Sequence, residues 1–156
     1  MKNRFLVLIF FFLAVTACIA QCPKKDRVIN GDEQTSAYFP MLRNRRIALF
    51  SNRTGMVKNK HILDILTENH FKVTCILSPE HGFRGNADAG ETVGNSVDEA
   101  TDVPIRSLYN SGDSTSLGEY LQGHADILVV DIQDVGLRFY TYYISMCKLM
   151  NVCAGL

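Results

Sequence analysis

The chain has 156 residues, 47 % of them hydrophobic and 21 % charged, which is material for one globular domain or part of a larger one. Its 16 basic and 16 acidic side chains cancel to a formal net charge of zero. Neither nucleic acid nor an anionic membrane surface is therefore indicated as an electrostatic partner.

At the N-terminus, Lys2 and Arg4 precede a continuous apolar run from Phe5 to Val15, the charged and apolar regions of a secretory leader. The run is shorter than the roughly 20 apolar residues of a membrane span. Two exits are legible. Val15-Thr16-Ala17-Cys18 has the form of a lipobox, which would lipidate Cys18 and attach the protein to a membrane. Cys18-Ile19-Ala20 before Gln21 has the small-x-small form of soluble export. Either route predicts an extracytoplasmic protein (periplasmic, membrane-anchored or secreted) and sets residues 1–20 apart as a leader. The five cysteines are Cys18, Cys22, Cys75, Cys147 and Cys153. They show no CxxC or Cys/His ligand spacing, so no zinc site is expected. Cys75 lies in an apolar run as a small hydrophobe, and an oxidising compartment leaves a Cys147–Cys153 disulfide open.

Residues 21–45 are polar and punctuated by Pro23, Gly31 and Pro40, a surface lead-in pinned by Tyr38, Phe39, Met41 and Leu42. The apolar run Ile47–Phe50 then predicts a strand, followed by Ser51-Asn52-Arg53-Thr54-Gly55. From about Asn59 to His70, Ile62, Leu63, Ile65 and Leu66 recur at helical spacing. Val73–Leu77 predicts a second strand, completing a βαβ crossover in just over 30 residues. Asn86–Asp102 reads as a long polar loop. Pro104–Tyr109 is a weaker strand, Asn110–Ser114 a turn, and Ser116–Gln122 a short helix closed by Gly123. Ile127–Val130 is the clearest strand. A helix from Phe139 to Met150 is predicted behind it, with Tyr143, Cys147 and Met150 as its apolar stripe and Tyr140 and Ile144 beside it. Strands that are apolar throughout are covered on both faces, which predicts an α/β fold with a parallel sheet flanked by helices.

Three of these strands end in polar clusters. The first leads to Ser51 and Asn52, the second to Ser78-Pro79-Glu80-His81-Gly82-Phe83-Arg84-Gly85, and the last to Asp131, Gln133 and Asp134. In a parallel α/β sheet these clusters gather at the carboxyl edge, where ligands bind. Glu80, beside an apolar strand, is suited to general acid work if it is desolvated; the alternative is a loop acceptor. His81 is suited to orient a substrate or carry a proton, or to brace the loop. Arg84 is suited to hold a substrate carboxylate, or to pair with Asp88 or Glu91. Asp131 and Asp134 are candidate catalytic carboxylates, metal ligands or helix caps. Arg138, Tyr140 and Tyr142 offer a cation and aromatic surfaces for a sugar ring, or plain packing. No phosphate loop, GxGxxG, HExxH or GxSxG is present, so no nucleotide or other cofactor is expected. A site made of Glu80, His81, Asp131 and Asp134 has no diagnostic metal spacing.

The block Ser78–Gly85, followed by Asp88-Ala89-Gly90, resembles the signature of the exo-β-N-acetylmuramidase family, once labelled only as a domain of unknown function. The block Asp126–Tyr142 is similar to that family's second signature, and Ser51–Gly55 and Ser107–Tyr109 fall in the expected order. The resemblance spans roughly Ile47 to Met150. It implies a glycoside hydrolase that releases N-acetylmuramic acid from the non-reducing end of peptidoglycan fragments, so its partners would be muropeptide sugars. It also implies a Rossmann-like N-terminal domain (here 46–156), a second C-terminal domain, and a site in the cleft between them. The family's glutamate falls on Glu80, and Asp131 and Asp134 stay open as its companion. His81 joins the catalytic candidates, and Asn52, Arg84, Gln133, Arg138, Tyr140 and Tyr142 are the candidate sugar-binding residues. Family members are much longer, so the sheet is expected to be incomplete at the C-terminus, the second domain missing, and the activity of this chain small or nil. A non-catalytic cell-wall sugar-binding module and a metal-dependent hydrolase are the alternatives.

Overall fold

The computed structural model describes residues 27–85, 94–108 and 114–156. The leader, with Cys18, Cys22 and both cleavage readings, lies outside the described residues. So do Asp88, Glu91, Tyr109 and residues 110–113 of the expected turn.

The elements run α1 (Thr35–Leu42), β1 (Arg46–Ser51), β2 (Met56–Val57), β3 (Lys60–His61), α2 (Ile62–Glu68), β4 (Lys72–Ser78), β5 (Ser96–Val97), β6 (Pro104–Ser107), α3 (Ser114–His124), β7 (Ile127–Asp131) and α4 (Tyr142–Ala154). Five strands form one sheet in the order β5-β6-β4-β1-β7. β6, β4, β1 and β7 are parallel, as their apolar runs predict. The long loop hides a correction: Ser96–Val97 adds antiparallel to β6, so the sheet is mixed. Two residues with an exposed pattern carry no strand periodicity, and only the neighbouring edge recruits them.

Alternation along β1 divides the core. Ile47 and Leu49 face α1 and α2, with Ile62, Leu63, Leu66 and Ile76. Ala48 and Phe50 face α3 and α4, with Leu77, Leu117, Leu121 and Leu149. The β1–β4 register slips between Ile47 and Ala48. There the Thr74 hydroxyl sits 3.1 Å from the Ile47 carbonyl and 2.6 Å from that of His124, joining the bulge to the end of α3. At the same end of the strands Asp126 clamps Arg46, accepting from its backbone N–H at 2.8 Å and from the guanidinium at 2.7 Å. Those hydrogen bonds hold the Asp126 carboxyl down at about 2.

The helices depart from their sequence reading in instructive ways. The lead-in contains α1, which spans Pro40. Tyr38, Phe39 and Leu42 pack as expected, whereas Met41 is exposed. The predicted helix at Asn59–His70 begins later. Lys58, in a left-handed conformation, turns β2 into β3, and α2 starts behind His61, whose ring caps it. α3 runs through Gly123 to His124. α4 starts three residues after Phe139 and turns Leu149, Met146 and Val152 inward. Tyr143, Ile144 and Met150, predicted to face the core, are exposed. This helix is apolar on most sides, so several stripes fit its sequence, and packing on α3 and the sheet selects among them. Cys75, Cys147 and Cys153 are free thiols, with no Cys147–Cys153 bond.

Candidate active site

With β4 on one side of β1 and the later strand β7 on the other, the topology switches between β1 and β7, where α/β sheets place their ligand crevice. The exits of β1, β4 and β7 meet there.

The β1 exit is a braced turn. The Asn52 side-chain carbonyl accepts from the Thr54 N–H at 3.0 Å and its hydroxyl at 2.6 Å. The same hydroxyl accepts from the Gln133 N–H at 3.1 Å, tying this turn to the chain after β7. From below, His61 Nε2 donates to the Asn52 carbonyl at 2.8 Å while Nδ1 accepts from the Leu63 N–H at 3.2 Å. That pattern requires a neutral ring. Burial, chiefly, lowers its pKa to match, against the opposing pull of the Asn52 hydrogen bond. His61 also meets Phe83 edge-on at 4.7 Å, so one ring braces two loops. Gly55 closes the turn tightly: a Cβ there would strike Ser51 Oγ and crowd Asp131 Oδ2.

The β4 exit carries Glu80, half-buried. Its Oε2 accepts from the Thr141 hydroxyl at 3.0 Å, and its backbone carbonyl from the Tyr142 hydroxyl at 3.4 Å. Glu80 is therefore held against the start of α4, the positive end of the helix dipole. His81 takes a left-handed φ of 70°, unusual for a non-glycine residue, in the turn that swings the motif off the strand. Arg84 is committed elsewhere. It forks onto Asp98, with Nε at 2.8 Å and Nη2 at 3.0 Å, and reaches Asp64 at 3.1 Å. The Asp88 and Glu91 suggested by proximity in sequence lie outside the described residues. Burial would raise the Asp98 carboxyl, but the hydrogen bonds from Arg84 and Thr101 bring it below its ordinary range.

The two aspartates separate. Asp134 accepts from the Gly136 N–H at 3.1 Å and the Tyr143 N–H at 3.3 Å, supporting the first turn of α4. Asp131 ends β7 opposite Ser51. Its Oδ2 is buried without a hydrogen-bond partner, and burial, reinforced by the charge of Asp32, pushes the carboxyl up to about 6. It lines a groove of about 710 Å³ beside β7 with Asp32, Tyr38, Thr54 and Gln133; Glu80 does not line it. Arg138 and Tyr140 stand exposed in the turn before α4. Among the described residues no three of His, Cys, Asp and Glu are grouped to hold a metal ion.

Glu80, Asp134 and Tyr142 thus converge on the start of α4, and Asn52 and Gln133 join through Thr54. Arg84 lies apart in its own ion pairs. Sequence reading passed over His61, Thr54 and Thr141. Thr141 carried a signal, a hydroxyl residue just before a helix, which was obscured by starting that helix at Phe139.

The family model for the exo-β-N-acetylmuramidase NamZ, N-terminal part, matches residues 47–156. The chain belongs to this family. It is 41 % identical over 156 residues to the peptidoglycan β-N-acetylmuramidase NamZ of Bacillus subtilis, covering 94 % of this chain and 37 % of the relative. Two crystal structures of DUF1343 family proteins from Bacteroides fragilis share the fold. One is 58 % identical with a TM-score of 0.69, covering 83 % of this chain and 32 % of the other. The second is 33 % identical with a TM-score of 0.64, covering 78 % and 30 %. The chain thus spans about a third of the length of the relatives it matches, and it carries the N-terminal α/β part of a peptidoglycan glycosidase family.

Proposed function

We propose that this NamZ-family chain contributes the acid-bearing half of a glycosidase site that releases N-acetylmuramic acid from the non-reducing end of peptidoglycan fragments. Glu80 is the proton donor in this reading. The observation that carries it is the seat of Glu80: it is half-buried at the carboxyl end of a parallel strand, with one carboxylate oxygen on Thr141 and the loop carbonyl on Tyr142. A carboxyl group fixed in this way is oriented toward a glycosidic oxygen without having to be ordered during the reaction. Asp134, on the same helix start, orders that corner. The basic and apolar leader supports action outside the cytoplasm, either soluble or tethered through Cys18.

The whole polypeptide's activity is part of this proposal, because the chain spans 37 % of the Bacillus subtilis relative. The test is turnover of a chromogenic N-acetylmuramide by a polypeptide spanning the relatives' full length. Glu80→Gln is expected to lower kcat by about 10²–10⁴-fold, the usual worth of general acid catalysis, with KM little changed. Turnover that is unchanged removes Glu80 from the acid role. Sugar binding without turnover in the unsubstituted protein makes it a binding module.

A further inference from the structure

We propose that Arg53 is the residue that recognises the carboxylate of the substrate. The inference rests on the reading that the site takes N-acetylmuramic acid, a hexosamine whose ether-linked lactyl group is anionic at neutral pH. The surrounding edge carries Glu80, Asp131 and Asp134, so an anionic sugar needs a cation there to offset like-charge repulsion. Arg84, the cation that the motif offers first, already has its Nε and Nη2 on Asp98 and Asp64.

Arg53 is placed differently. It directly follows Asn52 at the exit of β1, is exposed, and has no hydrogen bond or ion pair among the described residues. Its backbone is fixed from both sides, since His61 holds the Asn52 carbonyl and the Asn52 side chain holds the Thr54 N–H. Its stem crosses to the β4 motif and lies against Gly85. A Cβ on Gly85 would stand 2.6 Å from Arg53 Cδ and 3.2 Å from its Cβ. Gly85 also has a φ of 76°, so the motif's last glycine serves both the turn and the passage of this stem. The guanidinium begins at the atom after Cδ and is therefore carried at the mouth between the β1 and β4 exits. A stem laid on a rigid turn loses less rotamer freedom on binding than a free arginine. The fork of N–H donors then matches a carboxylate in a way that a lysine ammonium does not.

The experiment is calorimetric titration of a polypeptide spanning the relatives' full length, freed of residues 1–20, with N-acetylmuramic acid and with N-acetylglucosamine, which lacks the lactyl carboxylate. The chain is expected to prefer the muramic acid by about tenfold or more, the worth of one charge-assisted hydrogen-bonded pair. Arg53→Met is expected to erase that preference, leaving N-acetylglucosamine affinity and the thermal midpoint unchanged, and Arg53→Lys to restore only part of it. If the preference survives Arg53→Met, Arg53 is not the recognising residue, while the glycosidase reading stands. Equal affinity of the unsubstituted chain for both sugars also overturns the inference. Binding of neither sugar overturns the inference and the reading of the site together.

Discussion

Strands β1 and β7 lie side by side in parallel register and end in similar polar clusters, yet they live in different surroundings. Ile47, Ala48, Leu49 and Phe50 of β1 have no exposed surface at all. In β7, Val130 is 38 % exposed, and the chain beyond it leaves Val135, Leu137 and Phe139 largely in solvent. The two apolar runs are of equal quality. β1 has a strand on each side and helices over both faces, whereas β7 pairs on one side only. Burial here is a property of the place in the sheet, and the same hydrophobicity yields different stabilisation at the two places. The polar ends differ in the same way. The β1 end is cross-braced by His61 and Thr54, while Asp131 at the β7 end keeps an unpartnered oxygen.

That contrast is testable by mutation. Phe50→Ala is expected to cost about 3–5 kcal/mol of stability, the cost of a large cavity in a close-packed core. Val130→Ala in the edge strand is expected to cost well under about 1 kcal/mol. Urea unfolding of both variants measures the difference, and comparable losses would mean that β7 is as enclosed as β1.

Asp131 probes the edge with the opposite sign. Its folded pKa of about 6 stands above the ordinary carboxylate value. The folded state therefore holds a proton that the unfolded state has released, and stability falls as pH rises from about 4 through 6. Asp131→Asn is expected to remove that fall and to stabilise the protein by about 2 kcal/mol at pH 7, with little effect at pH 4. Unfolding midpoints measured across this range decide it, and a wild-type profile that is flat between pH 4 and 6 would sink the assignment.

Asp134→Ala, which removes acceptors for the Gly136 and Tyr143 N–H groups, is expected to cost about 1 kcal/mol, as losing a helix cap does. The loss should appear as faster amide exchange in the first turn of α4, with β1 and β4 unchanged. Uniform loosening of the molecule would show instead that α4 and the central strands open as one unit.

How much was legible in advance varied with the range of the interaction. The runs Ile47–Phe50, Val73–Leu77 and Ile127–Val130 announced their strands because their hydrophobicity is continuous, and the parallel sheet followed from it. The motif around Glu80 was legible as a strand exit because glycines and charged residues abruptly replace apolar ones. The partners of these residues were not legible. Arg84 bonds Asp98 and Asp64, fourteen and twenty positions away, which its own motif does not announce. His61 looked like one more residue of a helical segment, and its role appears only when Asn52 and Phe83 are folded onto it. The inward face of α4 was misread because a helix apolar nearly all round has no unique stripe.

By itself the sequence determined the four parallel strands of the sheet, the gathering of three polar exits at one edge and membership of a peptidoglycan glycosidase family. These follow from local periodicity and from contiguous motifs, which a linear chain records directly. Tertiary structure alone decided that β1 is enclosed and β7 is not, that Thr141 holds Glu80, that Arg84 is engaged on Asp98 and Asp64, that the Arg53 stem lies against Gly85, and that Asp131 is the acid raised by burial. Each of these depends on which distant groups share a small volume, and a linear sequence does not record shared volume.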